Sequence, residues 1–449
     1  MKTLMPSLVS ICLALLVIFD GGETRQQEVP LTSACRFERL NSLEPTETAE
    51  MEGGRMEFWD HTSPELRCGG VAMARVTIEP KSIFLPSFFT SPGLAYVVQG
   101  EGVMGMVRPG CPETYDEGGM EAGETGRRRF GDMHQKVENF RRGHVFALLA
   151  GISHWCYNNG DSPVVIVLLL DITNRDNHLD QKPRVFQIAG SGERGGRTGK
   201  GHVWVSSKNI FSGFDPKIIA EAFKIDLQTA KKLQSQRDDR GNIVRVKGKL
   251  HFVSPRIEQG RAWERDNGVE ETICSARMHE NIDDPSRADF YSSRAGRIST
   301  LNSFTLPVLR LVRLNAVRGL LYSGGMVLPH WTPNAHTVIY TTGGRARVQV
   351  VDDNGRSVFD GELRQGQILL VPQGYAVVKR SGQTGYEWVA FKTNDHAITN
   401  SLSGRTSYMR AVPLDVISAA YGTSEEVSKR IKFSQQESML STTTTPDSV

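Results

Sequence analysis

The chain lacks the residue patterns that mark several common enzymes and metal domains. Its 449 residues include only six cysteines, and none of them forms a Cys-x-x-Cys pair, which excludes zinc ribbons and thioredoxin-type redox sites. There is no Gly-x-Ser-x-Gly elbow, no Walker loop and no His-Glu-x-x-His motif. The formal net charge is only +3, whereas a dedicated nucleic-acid binder normally carries a concentrated basic face. We therefore expect no nucleic-acid partner.

Long apolar runs are missing beyond the N-terminus. Lys2 precedes an apolar run from Leu8 to Phe19, and a polar segment follows, as in a cleaved secretory signal. We predict a signal peptide over residues 1–22, with cleavage between Phe19 and Arg25; the alternative is a short N-terminal anchor. No other stretch approaches the roughly 18 apolar residues of a membrane span, so we expect no membrane partner for the mature chain.

Short segments rich in Val and Ile occur in two regions, and each region is followed by a pair of helix signals. Turn residues punctuate the segments, which predicts β-sandwiches or barrels, and VVDDNGRSVF at 350–359 predicts a hairpin. The fold expected is mainly β, with two similar domains that each end in a helical extension. The predicted divisions are the signal peptide, the first domain, a loose linker and the second domain, at residues 1–22, 23–236, 237–267 and 268–449.

The helix signals are caps. Asp215 comes directly before Pro216, and Asp226 before LQTAKKLQ, so that each aspartate can accept hydrogen bonds from the first turn of a helix. In the second copy, Pro413 leads into one helix and residues 423–426 resemble a capping box that opens another. The same order of strands, helix, turn and helix therefore occurs twice.

The two copies can be aligned through glycines. Gly100 of the first copy corresponds to Gly344 of the second, and Gly151 corresponds to Gly374. Phe223 of the first copy corresponds in the same way to Tyr421 of the second. The chain is therefore predicted to be an internal duplication.

Three stretches carry a resemblance to a known family. GGMVLPHWTPNAHTVIYTTGG at 324–344 and GQILLVPQGYAVV at 366–378 resemble the two-part pattern of a cupin, a small double-stranded β-barrel of the jelly-roll type. RDNGVEETIC at 265–274 resembles the processing junction of legumin-type (11S) seed storage globulins. The resemblance extends along nearly the whole mature chain.

The resemblance implies a cut between Asn267 and Gly268 by a vacuolar asparaginyl endopeptidase; on the dipeptide alone, the alternative is an ordinary turn. It further implies disulfides between the members of two cysteine pairs, Cys111 with Cys274 and Cys35 with Cys68. Cys156 matches no bridge and is expected to be a buried thiol.

The family also implies a function without turnover. The chain would be a nutrient reservoir and an allergen, deposited in the protein storage vacuoles of seed. It would assemble first as a homotrimer and, after the cut, as a homohexamer.

Metal chemistry is the point that separates storage from catalysis. Catalytic cupins hold iron, manganese or copper through three histidines and a glutamate on neighbouring strands. The equivalent positions in the second copy are His330, Thr332, Thr337 and Val377, of which one could bind a metal. In the first copy, only His154 occupies such a position. We therefore expect no metal, no cofactor and no enzyme activity.

Three alternatives stay open. His336 could join His330 in a two-histidine partial metal site. The chain could also be an enzyme, a metal-dependent cupin such as an oxidase. Alternatively, a barrel could bind a small apolar or hormone-like ligand between aromatic walls. The candidate wall residues are Phe88, Phe89, Tyr96, Trp155 and Trp331.

Overall fold

The computed structural model describes the chain in segments. These are residues 35–113, 115–116, 132–190, 208–234, 238–248, 250–252 and 274–442. Both β regions lie in one unit that starts at Phe37. Within the described segments, no helix is long and apolar enough to cross a membrane.

The first β region forms two antiparallel sheets and a short ribbon. Its strands are β1 (Glu47–Met51), β2 (Gly54–Phe58), β3 (Val71–Ile78), β4 (Ser82–Phe89), β5 (Gly93–Gln99), β6 (Glu101–Val107), β7 (Tyr115–Asp116), β8 (Met133–His134), β9 (Val137–Arg141), β10 (His144–Leu148), β11 (Ser153–Tyr157), β12 (Val164–Asp171), β13 (Val185–Gln187), β14 (Ile243–Arg245) and β15 (His279–Asn281). One sheet has the order β1-β2-β3-β12-β5-β10-β15. The other has the order β13-β4-β11-β6-β9, with β14 also beside β4, and β7 pairs with β8. We call the two sheets the first barrel.

The core of the first barrel follows from the period of its strands. Strand β12 is flanked by β3 and β5 on either side, and its Val-, Ile- and Leu-rich sequence suits a strand without a solvent-facing edge. Every second side chain, at Ile166, Leu168 and Leu170, points into one apolar cluster. Phe84 of the opposite sheet belongs to the same cluster.

The second β region forms one continuous sheet that we call the second barrel. Its strands are β16 (Phe290–Ser292), β17 (Gly296–Leu301), β18 (Asn315–Leu321), β19 (Gly325–Trp331), β20 (Thr337–Val351), β21 (Ser357–Arg364), β22 (Ile368–Val371), β23 (Ala376–Lys392), β24 (Asn400–Ser401) and β25 (Leu440–Thr442). The long strands β20 and β23 pair with each other and connect most of the remaining strands. The predicted hairpin is confirmed, because β20 and β21 pair across it, with Val350 opposite Phe359.

The glycines that align the two copies have the same backbone conformation in each. Gly100 and Gly344 have φ angles of 85° and 66°, and Gly151 and Gly374 have φ angles of 76° and 82°. All four lie in the left-handed region, where a side chain is strained. Together with the two jelly-roll-like sets of strands, these matching conformations confirm the mainly β fold with an internal duplication.

The helices begin where the caps predict. Their bounds are α1 (Pro64–Gly69), α2 (Pro216–Phe223), α3 (Leu227–Leu233), α4 (Leu309–Val312), α5 (Tyr408–Ala411), α6 (Leu414–Tyr421) and α7 (Glu425–Phe433). The Asp215 carboxylate accepts from the Lys217 amide at 2.8 Å, and Asp226 accepts from two amides of the first turn of α3. The Ser424 hydroxyl accepts from the Val427 amide at the start of α7. Each β region is thus followed by a helical pair, α2 with α3 and α6 with α7.

One part of the predicted linker is not loose. Residues 237–267 are predicted to be a linker without regular structure, but Ile243–Arg245 forms β14 and pairs with β4 of the first barrel. The physical reason is apolar burial, since Ile243 is fully buried in the core and Val244 is also buried. Sequence reasoning gave too much weight to the charged residues on both sides of this short apolar segment.

The two barrels exchange short segments. Strand β15 follows the predicted cut in sequence, yet it pairs with β10 of the first barrel. In return, the Leu40 amide donates to Val358 of the second barrel, and Leu43 forms a β-bridge with Ile368. The first barrel is therefore built from two separate stretches of chain, and residues from near the start of the chain contact the second barrel.

Candidate functional site in the second barrel

The four positions that hold a metal in catalytic cupins meet inside the second barrel. His330 of β19, Thr332, Thr337 of β20 and Val377 of β23 all line one cavity of about 530 Å³. Register brings them together, because β23 pairs with both β19 and β20, and His330 lies opposite Val377. One imidazole, two hydroxyls and one isopropyl group form a poor donor set for iron, manganese or copper.

The His330 imidazole is held as a neutral group. Its Nδ1 donates to the Leu328 carbonyl at 2.8 Å, and the side chain is buried. Burial lowers the pKa of His330 well below its usual range, and the positive charges of Lys379 and Lys392 lower it further. The remaining ring nitrogen, Nε2, therefore carries a lone pair and not a proton.

Two lysines that sequence reasoning missed also line this cavity. Lys379 and Lys392, both on β23, are only 4% and 6% exposed. The Lys392 ammonium donates to the hydroxyls of Thr332 at 3.1 Å and Thr399 at 2.7 Å. The Lys379 ammonium lies over the Trp388 ring, 5.5 Å from its centroid. Lysines are rarely buried to this extent, so the pair is the most unusual chemical feature of the barrel.

A signal for these lysines was present in the sequence. Side chains two residues apart on a strand point to the same face, so an inward Val377 places Lys379 inward as well. Thr337 and Lys392 are partners in the β20–β23 register. The metal-binding motif consists of histidines and a glutamate, so it does not point to either lysine.

His336 does not join His330 in the cavity. Its Nδ1 accepts a hydrogen bond from the Gln373 amide at 3.2 Å and lies 4.0 Å from Cys68 Sγ. Cys68 is disulfide-bonded, so its sulfur is not a thiolate ligand. Burial lowers the pKa of His336. This arrangement is that of a hydrogen-bonded structural histidine.

The interior of the first barrel differs in both size and chemistry. Its cavity is about 40 Å³ and is lined mainly by apolar side chains, together with His154 and Cys156. His154 packs against the ring of Phe89, with centroids 5.0 Å apart. Burial lowers the pKa of His154 to about 4, so the imidazole is neutral and part of the core.

The proposed aromatic wall residues do not form one site. Phe89 lines the small first cavity, Tyr96 is buried, and Phe88 stacks on Phe186 with centroids 5.1 Å apart. Trp155 stacks on Phe252. Of the five residues, Trp331 is the one that lines the large cavity of the second barrel.

The cysteines occupy three environments. Cys111 and Cys274 form a disulfide with a Cα–Cα distance of 5.5 Å, and the Cys274 carbonyl accepts from Arg108. Cys35 and Cys68 are each disulfide-bonded; their pairing with one another stays a prediction. Cys156 is a buried thiol, and burial raises its pKa. The predicted cut at Asn267–Gly268 and the signal peptide lie outside the described residues.

Comparison with known proteins identifies the family. The cupin family model matches residues 40–194 and 280–429. The 12S seed storage protein CRD of Arabidopsis thaliana is 61% identical over 451 residues, which is 99% of each chain. The 11S globulin seed storage protein Ana o 2.0101 of Anacardium occidentale is 45% identical and covers 96% of this chain and 97% of its own.

A solved structure leads to the same family. The crystal structure of procruciferin, an 11S globulin from Brassica napus, superposes with a TM-score of 0.83 at 46% identity. The match covers 92% of this chain and all of the procruciferin chain. With its two cupin regions and its near full-length relatives, the chain belongs to the 11S seed storage globulins of the cupin superfamily.

Proposed function

We propose that this chain is a seed nutrient reservoir that has no catalytic turnover of its own. Its relatives are named seed storage proteins. The observation that carries the proposal is the second barrel, where one imidazole stands at the four positions that would ligate a metal. A storage protein needs a fold that can be deposited densely and later digested, and it needs no reactive centre.

Metal analysis tests the absence of catalysis. Protein purified from seed without chelators should contain far less than one iron, manganese or copper atom per chain by inductively coupled plasma mass spectrometry. The physical reason is the shortage of imidazole and carboxylate donors in the cavity. One tightly held transition metal per chain would overturn the proposal and favour the oxidase alternative.

We further propose that an asparaginyl endopeptidase of the vacuole cuts the chain between Asn267 and Gly268. Two features support a cut that does not release the product chains. The Cys111–Cys274 disulfide would link them covalently, and β15 would keep the start of the smaller chain in the first barrel. Deposition in protein storage vacuoles requires entry into the secretory pathway, for which the signal peptide over residues 1–22 would serve.

The proposed assembly is a trimer that stacks into a hexamer after the cut. Its support is the exposed apolar surface of the helical pairs. Side chains that are at least two-fifths exposed on these helices are Ile218, Phe223, Leu227, Val416, Tyr421, Ile431 and Phe433. Apolar surface of this extent on a helical pair is typical of a protein contact, and the neighbouring subunit is the contact that we propose.

A further inference from the structure

Two cationic side chains line the cavity of the second barrel. Lys379 and Lys392 are both almost completely buried. Lys392 has two hydroxyl acceptors, Thr332 and Thr399, and hydroxyls solvate an ammonium without neutralising it. The cavity therefore has an excess of positive charge in surroundings of low dielectric constant.

Lys379 is the less satisfied of the two lysines. Among the residues that the structure describes, neither a hydrogen-bond acceptor nor a carboxylate pairs with its ammonium, and its one cation–π contact is with the Trp388 ring. Burying an unpaired charge costs several kcal/mol, so such a group is normally paired or coordinated. A buried ammonium without a counter-ion in the protein therefore indicates that an anionic ligand binds beside it.

The protein supplies little compensating negative charge. Asp289 is the one acidic residue among the described residues that line the cavity. It is exposed, and its carboxylate already accepts from the Thr300 amide at 2.7 Å. It therefore cannot serve as the buried counter-ion of Lys379.

The remaining walls are suited to an apolar body. Trp331, Trp388, Val317 and Ala390 line the cavity beside the polar groups. A volume of about 530 Å³ lies within the range of pockets that enclose a small organic molecule. The cavity thus combines a cationic end with apolar and aromatic surface.

We propose that the second barrel binds a small organic carboxylate, with the Lys379 ammonium as its counter-ion. The Lys392 ammonium and the Thr332 hydroxyl lie in the same cavity and provide further donors. The apolar part of the ligand packs against Trp388 and Val377. This site adds a binding function to the proposed storage function and does not depend on it.

The protonation state of the two lysines agrees with this assignment. Burial and the charge of Lys392 together lower the pKa of Lys379 to about 7, and burial lowers that of Lys392 to about 8. A bound carboxylate favours the charged form of both lysines and raises their pKa values. Binding at pH 8 is therefore coupled to proton uptake. His330 and Asp289 also face the cavity; His330 stays neutral at this pH, and Asp289 is exposed at the rim.

Titration calorimetry of the full chain tests the site. Benzoate is the probe, benzamide its neutral counterpart, and sulfate an inorganic anion. We expect one benzoate to bind per chain. Benzamide should bind at least about tenfold more weakly than benzoate, because the charge-assisted contact is lost. Sulfate should also bind more weakly than benzoate, because it lacks an apolar part. Equal affinity for benzamide, or no benzoate binding, would overturn the proposal. Tighter binding of sulfate would overturn the choice of an organic ligand.

Two variants and one buffer comparison locate the contact. Lys379→Met should weaken benzoate binding by at least about tenfold, whereas Lys182→Met, which removes an exposed lysine of the first barrel, should leave it unchanged. Unchanged binding to Lys379→Met would place the ligand elsewhere. On the unaltered protein at pH 8, the binding enthalpy should differ between Tris and triethanolamine buffers, because a proton is taken up and neither buffer is an anion. An identical enthalpy in both buffers would contradict the role of the lysines, even if the variant failed to fold.

Discussion

Buried ionic groups dominate the chemistry of this molecule at the scale of single residues. Lys379 is buried without a counter-ion, whereas Arg318, which is 2% exposed, has a full set of partners. The Arg318 guanidinium donates to Asp283 at 2.9 Å and to the Trp388 carbonyl at 3.1 Å, and it also pairs with Glu387. Replacing Lys379 should therefore raise the free energy of unfolding, whereas replacing Arg318 should lower it.

Lys379→Met should stabilise the ligand-free protein at neutral pH. The folded-state pKa of about 7 lies below the unfolded value of 10.5, so the unaltered protein loses stability as the pH falls from 10.5 through 7. We expect a gain in the free energy of unfolding on the order of 4 kcal/mol at pH 7, which shrinks toward pH 10. Urea unfolding at the two pH values measures it. A gain that does not change with pH would show that packing, and not charge, is responsible.

Arg318→Met should destabilise the protein by about 3 kcal/mol, because the half-buried Asp283 and Glu387 carboxylates lose their buried ionic partner and keep only the exposed Arg142 in common. Arg347→Met is the matched control. Arg347 pairs with Asp360 at 2.8 Å, but both side chains are exposed, so its loss should cost less than about 1 kcal/mol. Urea unfolding compares the two variants. A similar cost for both would contradict a special role for the buried network.

The sequence predicts the positions of the metal-motif residues in the second barrel more readily than the position of Lys379. The positions of His330, Thr332, Thr337 and Val377 could be predicted to meet because a known motif fixes their strands. Lys379 lies on the same face as Val377 and was predictable from strand alternation alone. It was missed because an inward lysine contradicts the usual rule that charged groups face water.

At the scale of elements, local signals worked well for helices and poorly for short strands. The starts of α2 and α3 could be predicted because Asp215 and Asp226 accept hydrogen bonds from backbone amides in their own neighbourhood. Strands β14 and β15 have three residues each and pair with residues far away in sequence. Such pairing leaves no local pattern, which is why the linker was drawn too long.

The helical pair α2–α3 provides an element-scale prediction. Ile218 and Phe223 are 59% and 53% exposed, so changing both to Asp should not disturb the fold of the chain. It should abolish the proposed trimer, since two charges would be buried in an apolar contact. Gel filtration should then show monomers. Lys182→Asp, a charge change away from the helices, should leave trimers intact, and intact trimers in the helix variant would refute the contact.

At the scale of the whole molecule, the exchange of segments joins the two barrels independently of any covalent link. The smaller chain would contribute β15 to the first barrel, and the larger chain contributes Leu40 and Leu43 to the second. Arg142 adds a third link, because its guanidinium pairs with Glu387 of the second barrel at 2.7 Å. Proteolysis between the barrels would therefore not separate them.

Reduction of the cleaved protein should leave the two chains associated under native conditions. The Cys111–Cys274 disulfide adds a covalent link to a contact that the exchanged strands already hold together. Gel filtration with dithiothreitol should give one peak that contains both chains. Separation into two peaks would contradict the structural role assigned to the exchanged segments.

The measurement that tests the account most directly is electrophoresis of the mature protein from seed, with and without reductant. Without reductant we expect one band near the mass of the whole mature chain. With reductant we expect two bands, and N-terminal sequencing of the smaller should begin at Gly268 and reach Cys274 as its seventh residue. A single uncut polypeptide under reducing conditions, or a smaller chain that begins elsewhere, would contradict the account.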